Sequence, residues 1–523
     1  MTTCLPAPDT NPPETLGARP HLYRPDMWRG ADEIGVSRFR QIFTWPLALR
    51  LDRSAAGRRA QREALDRSIT ALMAHDDWEW LKDRLDQDMP QGGGADSMAE
   101  AAQTYAEFVY FHDFMQDTLF GEGKQTPDAG EPLSIFANRR ITTLDAEMQG
   151  AVGEVWRARA RVERMQLHLY RTGALILTVE ADFDTVLHTL DDTRPMRLSD
   201  VQMITDRLRR VYTPFFAPSG DTWPPGLVPQ RVVWRDADER AVVDSGALDA
   251  ERPDAALAGL RKADRTGRRN PPVHPHWAAL LSPLRVAGDD AAKRDVPLWR
   301  HVVDERVPTM SFVSLHMEGD DSVRDTLRRV SRGDWVRLCY ADGPGASPLP
   351  YAAEFLKNFE QDTCYDRFMA CDSMSDDIGT RFMFAGYHFV QVGAGGFFEG
   401  VLQHHFRRHY LQMAKAVHME LASLLATSSR VTDAVCALRE AAPGEGARQQ
   451  FSETLLDIQH DFMDFVHLFR FTGMSNQIQP TEMFQMWRRS LDLETLFEDV
   501  DQELRSATAF IYSEDDRRQT DSA

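Results

Sequence analysis

Beyond residue 397 the chain follows a helical pattern almost to its end, and this feature constrains the fold most. Apolar residues recur there at helical spacing, with one break at residues 442–446, which contain Pro and Gly. Immediately before, residues 381–393 form a compact apolar hairpin pattern, and the following Gly-rich residues 393–396 predict a strand-to-helix turn. A strand-rich first part followed by an all-helical last part is typical of α/β and α+β proteins.

We therefore predict an α/β or α+β fold, in which a mixed sheet with flanking helices precedes a C-terminal domain of long helices. The predicted boundaries are an extended N-terminal arm at residues 1–35, an α/β domain at 36–396 with long loops at 217–300, and a stalk-like helical domain at 397–523. A chain of 523 residues is long enough to bury a large core in such an arrangement.

Four shorter patterns predict local structure. Residues 162–180 alternate apolar and polar side chains around a turn, which predicts a β-hairpin. Residues 41–51 predict a strand, and Pro46 pushes it towards an edge or a bulge. Residues 144–165 favour a helix, whereas residues 334–340 favour a strand.

Composition and charge exclude some classes of protein. The chain has 60 Lys and Arg against 80 Asp and Glu, a formal net charge of −20, which argues against nucleic-acid binding. Its 5 cysteines form no CxxC motif and indicate free thiols in a reducing compartment. No stretch reaches the roughly 20 apolar residues of a membrane helix, and the N-terminus lacks the pattern of a signal peptide. We expect a soluble, cytoplasmic protein.

Two histidine-containing helix faces are candidate metal sites. His405 and His409 are four residues apart, so a helix places them on one face, as in a metal-binding pair. Arg407 and Arg408 flank the pair and would repel a cation, and the sequence fixes no third ligand. The alternative is a polar helix face whose imidazoles bond to neighbouring groups.

The second candidate combines His460, Asp464 and His467, which also share one face of a predicted helix. Two imidazoles and a carboxylate suit a divalent transition metal, but the same spacing suits a polar network between helices. No catalytic residue and no organic-cofactor site is predicted. Cys364 has Asp366 nearby but no base fixed by the sequence.

Several segments resemble the cytoplasmic part of a divergent branch of the CorA-like divalent-cation transporters. They cover about a third of the chain: residues 163–170 with the strand after Gly173, and residues 206–212, 364–368, 381–393, 405–410 and 475–504. The resemblance implies an α/β cytoplasmic domain that leads into a long stalk helix, assembly as a homo-oligomer, and a response to a divalent cation such as Mg²⁺.

The sequence departs from the family where the pore would be. Members carry a Gly-Met-Asn motif next to membrane helices, whereas here Gly473-Met-Ser-Asn476 has an extra residue and follows polar sequence. From the resemblance we therefore expect the fold and the cytoplasmic location of the family, and we expect no transport activity. The chain is expected to contain no membrane-spanning segment, although a membrane protein could be its partner.

Three functions follow from these patterns. The first is a non-catalytic, soluble CorA-like regulatory module, oligomeric and cation-responsive, or a transporter remnant. The second is a metal-dependent enzyme that uses the His/Asp groups of the C-terminal helices. The third is a scaffold whose C-terminal helices bind a partner.

Overall fold

A computed structural model gives the fold. It describes residues 24–51, 57–82, 95–122, 124, 126–150, 153–189, 192–215, 227–248, 253–260, 271–286, 296–345, 351–369, 379–441 and 445–522. The predicted arm lies outside this part of the chain up to residue 23, and the predicted loops at 217–300 lie partly outside it.

The strands that the structure describes belong to one large sheet, apart from the small pair β11–β12. They are β1 (Val36–Leu49), β2 (Trp78–Leu81), β3 (Leu133–Asn138), β4 (Thr143–Gln149), β5 (Val155–Tyr170), β6 (Ala174–Phe183), β7 (Val186–Thr189), β8 (Thr193–Pro195), β9 (Arg231–Arg235), β10 (Ala241–Asp244), β11 (Arg285–Val286), β12 (Val296–Pro297), β13 (Trp299–His301), β14 (Thr309–Leu315), β15 (Cys364–Tyr365), β16 (Thr380–Ala385) and β17 (His388–Gly393).

Helices flank the sheet and make up the described C-terminal part. They are α1 (Arg58–Met73), α2 (Ala95–Tyr110), α3 (Asp113–Phe120), α4 (Leu198–Leu208), α5 (Pro253–Leu260), α6 (Pro275–Leu280), α7 (Val323–Arg328), α8 (Arg332–Tyr340), α9 (Ala353–Thr363), α10 (Gly395–Phe397), α11 (Gln403–His405), α12 (Leu411–Glu440), α13 (Glu445–Leu468), α14 (Ile478–Ser490) and α15 (Leu493–Ser522). Two π-helical segments, Phe398–Leu402 and Phe406–Tyr410, join α10, α11 and α12 into one continuous helix.

The large sheet has 15 strands, and its main path runs β10-β9-β4-β5-β6-β1-β14-β17-β16-β15. Neighbouring strands on this path are antiparallel except β14 and β17, which are parallel. The mixed sheet with flanking helices and long C-terminal helices confirms the predicted fold class. The β5–β6 pair also confirms the predicted hairpin at 162–180.

Strand β1 lies inside the sheet, so the prediction that Pro46 marks an edge or a bulge was wrong. On one side Pro46 pairs with Ile176. On the other side the pairing with β14 ends at Phe43, and the pairing with β13 begins at Leu47. Proline is tolerated because its missing N–H falls in this gap between two partners.

Two further local predictions were wrong. Residues 144–165 form most of β4 and β5 instead of a helix, because Trp156, Ala158 and Ala160 alternate with arginines and their buried side pairs with neighbouring strands. Residues 334–340 belong to α8 instead of a strand. Its N-terminus is capped by the Ser331 hydroxyl, which accepts a hydrogen bond from the Asp334 N–H.

The two faces of the sheet differ in chemistry. One face, which we call the apolar face, presents Phe43 and Trp45 of β1 and Leu177 and Val179 of β6 to a hydrophobic core. The alternating residues point the other way. This polar face carries Arg40, Thr44, Gln166, His168, Thr178 and Glu180, all of them buried.

Helix α12 covers the polar face and bonds to it through polar side chains. His418 Nδ1 lies 3.0 Å from Thr44 Oγ1, and Lys415 Nζ lies 3.3 Å from His168 Nε2. Apolar residues of the strands and of α12 share one hydrophobic cluster around these contacts, including Ile176 and Val417. The C-terminal helices thus pack directly on the sheet. The predicted domain boundaries, with a division after residue 396, stay a prediction.

Candidate functional site

The helix that follows β17 positions the candidate site. Strand β17 ends at Gly393, and Gly395 adopts a φ of 81°, which only glycine tolerates easily, so the chain turns at once into α10. The predicted strand-to-helix turn at 393–396 is confirmed. The helix then contains its two π-helical segments, a distortion that often occurs at functional sites.

The structure brings His405 and His409 together. Their rings stack with centroids 4.8 Å apart, and the ring of Tyr110 lies 4.2 Å from that of His409. Burial lowers the pKa of His409 to about 4, and it also lowers the pKa of His405, so both imidazoles are neutral at pH 7. The two rings thus pack on each other and on an aromatic neighbour, and the polar-face alternative, like the metal pair, stays a prediction.

His460, Asp464 and His467 lie on α13, and the two histidines are exposed. The carboxylate of Asp464 accepts a hydrogen bond of 2.9 Å from Arg58 and lies 4.0 Å from a guanidinium nitrogen of Arg171. Two arginines therefore compete with any cation for this carboxylate.

Within the described residues, no group of three or more His, Cys, Asp or Glu side chains is arranged to hold a metal ion. Neither candidate set gains a further ligand from that part of the chain. The metal-site hypothesis stays a prediction for both sets.

A cavity of about 460 Å³ lies beside the stacked histidines, between the sheet and the helices. Its lining comes from α2, from β3 and the loop after it, from β5, and from the helix around the second π-helical segment. Four arginines line it against two glutamates: Arg139, Arg164, Arg407, Arg408, Glu100 and Glu163. We call it the arginine cavity.

A buried carboxylate holds two of these arginines. Glu180 is fully buried on the polar face and forms ion pairs with Arg407, with Arg164 at 3.5 Å and with Arg40 at 2.5 Å. Burial alone would raise the pKa of Glu180, but the charges of Arg407, Arg164 and Arg40 outweigh it and lower the pKa to about 2. Glu180 is therefore ionised at neutral pH and orients the guanidinium groups around it.

The other two arginines form ion pairs with different carboxylates. Arg408 donates a hydrogen bond of 3.2 Å to Glu107, a buried residue of α2. Arg139 donates one of 2.8 Å to Glu79 of β2 at the exposed rim of the cavity. The arginines are thus fixed by carboxylates on three separate elements, and each guanidinium group is paired with a negative charge.

His404 completes the polar lining. Burial and the charges of Arg407 and Arg408 lower its pKa, so the imidazole is neutral at pH 7 and offers one donor and one acceptor. Asn138 accepts hydrogen bonds of 3.1 Å from the N–H groups of Arg140 and Ile141. Because the amide oxygen of Asn138 is used in this way, its N–H₂ group remains to donate hydrogen bonds to a ligand.

This arrangement is suited to an anion. Guanidinium groups match carboxylate and phosphate oxygens in geometry, and a pocket of this size is typical for a small molecule. In the described part of the chain, Nη1 of Arg407 makes no hydrogen bond, while its Nε donates to Glu180. Arg407 can therefore bind a ligand without losing the contact that orients it.

Sequence reasoning singled out the helix segment that borders the arginine cavity, but not the arginines that line it. The run from His404 to His409 suggested imidazole ligands, whereas the cavity is lined by the arginines between them. Arg164 and Arg139 come from distant strands and loops, and nothing local in the sequence connects them to Arg407. The one usable signal was the adjacent pair Arg407-Arg408, noted only because it would repel a cation.

Comparison with known protein families, with curated proteins and with solved structures finds no match. Of the helices in the described ranges, none combines the length and apolar character needed to cross a membrane.

Proposed function

We propose that this chain is a non-catalytic, ligand-binding regulatory module, and that its ligand is a small anion held in the arginine cavity. The observation that carries the proposal is the convergence of four arginines from three chain segments on one cavity, in a chain of net charge −20. A protein with this overall charge repels anions, so a local concentration of guanidinium groups requires a specific explanation.

The position of the arginines supports a regulatory role. Arg407 and Arg408 belong to a helix that continues without interruption into α12, which covers the polar face of the sheet. A ligand that contacts these side chains therefore also contacts the element that joins the sheet to the C-terminal helices. Binding there can bias how α12 packs, which is what a ligand-responsive module needs.

The test uses two adjacent arginines as a matched pair. Arg139 lines the cavity, whereas Arg140 pairs with Asp77; the two side chains are 57% and 49% exposed. With tripolyphosphate as the probe, we expect Arg139→Gln to weaken affinity by about three- to tenfold, since it removes one charge contact, and Arg140→Gln to leave it unchanged. Calorimetric titration at low ionic strength measures both variants.

The same titration has a second expected result. Raising the salt concentration weakens the affinity of the wild-type chain, because exposed charge interactions are screened. The proposal is wrong if neither tripolyphosphate nor another small anion such as citrate binds the wild-type chain, or if the two substitutions weaken the affinity for the bound anion equally.

The other predicted roles stay proposals. The resemblance to CorA-like cytoplasmic domains supports a cation response, assembly as a homo-oligomer, a cytoplasmic location and a membrane partner. Thermal unfolding with and without millimolar Mg²⁺ tests the cation response. An ion that binds only the folded state raises the melting temperature. Elemental analysis of the purified chain measures its metal content and so tests the hypothesis of a metal-dependent enzyme.

A further inference from the structure

The arginine cavity also constrains what kind of anion it takes. We infer that the ligand carries at least two oxyanion groups and no aromatic base, as in a short polyphosphate or a small polycarboxylate. This inference rests on the proposed anion-binding function and adds the chemical class of the ligand.

The first argument is the distribution of charge. Arg164 and Arg407 are held by Glu180 of β6, Arg408 by Glu107 of α2, and Arg139 by Glu79 of β2. The guanidinium groups are thus held by carboxylates of three separate elements. A ligand with several oxyanion groups can pair with more of these guanidinium groups at once than a single oxyanion can.

The second argument is size. The cavity measures about 460 Å³, roughly fifteen times the volume that one water molecule occupies in the liquid. A lone phosphate would leave most of this volume to water and most of the arginines uncontacted. The volume falls within the range of small-molecule pockets, so a ligand of several linked groups fits better.

The third argument is the nature of the lining. Apart from the imidazole of His404, no aromatic ring is found among the described residues that line the cavity. Nucleobases are usually held by stacking on aromatic side chains, and this cavity offers no such surface. The guanidinium groups and the oriented N–H₂ of Asn138 donate hydrogen bonds, which favours a ligand rich in acceptor oxygens.

The experiment is a calorimetric titration of the whole chain with four probes: tripolyphosphate, citrate, orthophosphate and ATP. We expect tripolyphosphate or citrate to bind at least tenfold more tightly than orthophosphate. We expect ATP to bind no more tightly than tripolyphosphate, since only its phosphate chain finds partners. A preference between tripolyphosphate and citrate identifies whether phosphate or carboxylate oxygens are recognised.

A substitution that places a negative charge in the cavity provides a further test. Gln103 lines the cavity from α2 and is only partly buried, so Gln103→Glu adds a negative charge with little change of shape. We expect it to weaken binding of the preferred probe by at least tenfold. Gln450→Glu, at an exposed position of α13, adds the same charge elsewhere and should leave affinity unchanged.

The outcomes separate this inference from the proposed function. If orthophosphate binds as tightly as tripolyphosphate and citrate, or if ATP binds more than tenfold more tightly than tripolyphosphate, the ligand class is wrong while anion binding stands. Equal effects of Gln103→Glu and Gln450→Glu would place the bound anion outside the cavity and overturn both. If none of the four probes binds, the proposed function is wrong as well.

Discussion

Val179 and Glu180 are neighbours on β6 and both are fully buried, yet they lie on opposite faces of the sheet. Val179 belongs to the apolar face, where stability comes from packing and from removing hydrocarbon from water. Glu180 belongs to the polar face, where it is stable only because arginines surround it. The comparison shows that one face is built for packing, whereas the other keeps charges under a helix and next to a cavity.

Such a pair of faces is unusual for an antiparallel sheet, in which the polar face normally meets water. Here α12 and the helix before it exclude most of the water, so a charged group on this face is stable only with a partner within the protein. This requirement explains the ordered arginines of the cavity. Three adjacent residues of β6 allow the comparison to be tested.

The largest effect is expected for Glu180→Gln. The shift of its pKa to about 2 from an ordinary value of 4.5 corresponds to about 3 kcal/mol of stability at pH 7. The variant also leaves Arg40, Arg164 and Arg407 without their shared counter-charge. We expect it to lower the free energy of unfolding by about 3 kcal/mol, measured by denaturant unfolding at pH 7.

The pH dependence of this loss has a definite sign. Because the pKa of Glu180 is lower in the folded state, its stabilisation is complete above the unfolded value of 4.5 and disappears as the pH falls towards 2. The difference between wild type and Glu180→Gln should therefore be constant from pH 7 to about 5 and shrink below pH 4.5. A difference that stays constant down to pH 3.5 would contradict the role assigned to this carboxylate.

A smaller effect is expected on the apolar face. Val179→Ala removes two methyl groups from a fully buried position, which costs about 2 kcal/mol when the loss of packing is included. The residue carries no charge, so the loss should not change between pH 7 and pH 3.5. Denaturant unfolding over the same pH series as for Glu180→Gln makes the two faces directly comparable.

The smallest effect, with the opposite sign, is expected for Thr178→Val. Thr178 lies on the polar face and is buried, and its hydroxyl finds no hydrogen-bond partner among the described residues. Replacing an unsatisfied hydroxyl by a methyl group of similar shape should stabilise the fold by up to about 1 kcal/mol. Thermal unfolding measures this; a clear loss of stability would mean that the hydroxyl is bonded through water.

The sequence was sufficient for the fold class and for elements whose pattern is local. The hairpin of β5 and β6 could be predicted because Leu167 and Leu169 alternate with Gln166 and His168. The start of β5 was misassigned because Ala158 and Ala160 are good helix formers, and only pairing with β4 and β6 makes the segment a strand.

The candidate site could be predicted only in part. The importance of the segment from His404 to His409 was visible, since charged and imidazole groups are concentrated there. The arginine cavity itself was not, because Arg139 and Arg164 lie more than two hundred residues before Arg407 in the sequence and meet it only in the folded chain. The buried carboxylate that orders the arginines, Glu180, is the last residue of the predicted hairpin at 162–180, and the sequence gave no sign of its role.

The π-helical segment Phe406–Tyr410 sets the rotational phase of everything after it. One residue corresponds to about 100° of turn in an α-helix, so a chain one residue shorter here would present a different side of α12 to the sheet. His418 would no longer face Thr44, and Lys415 would no longer face His168. The length of this segment therefore specifies the interface between α12 and the sheet as much as the identity of its side chains does.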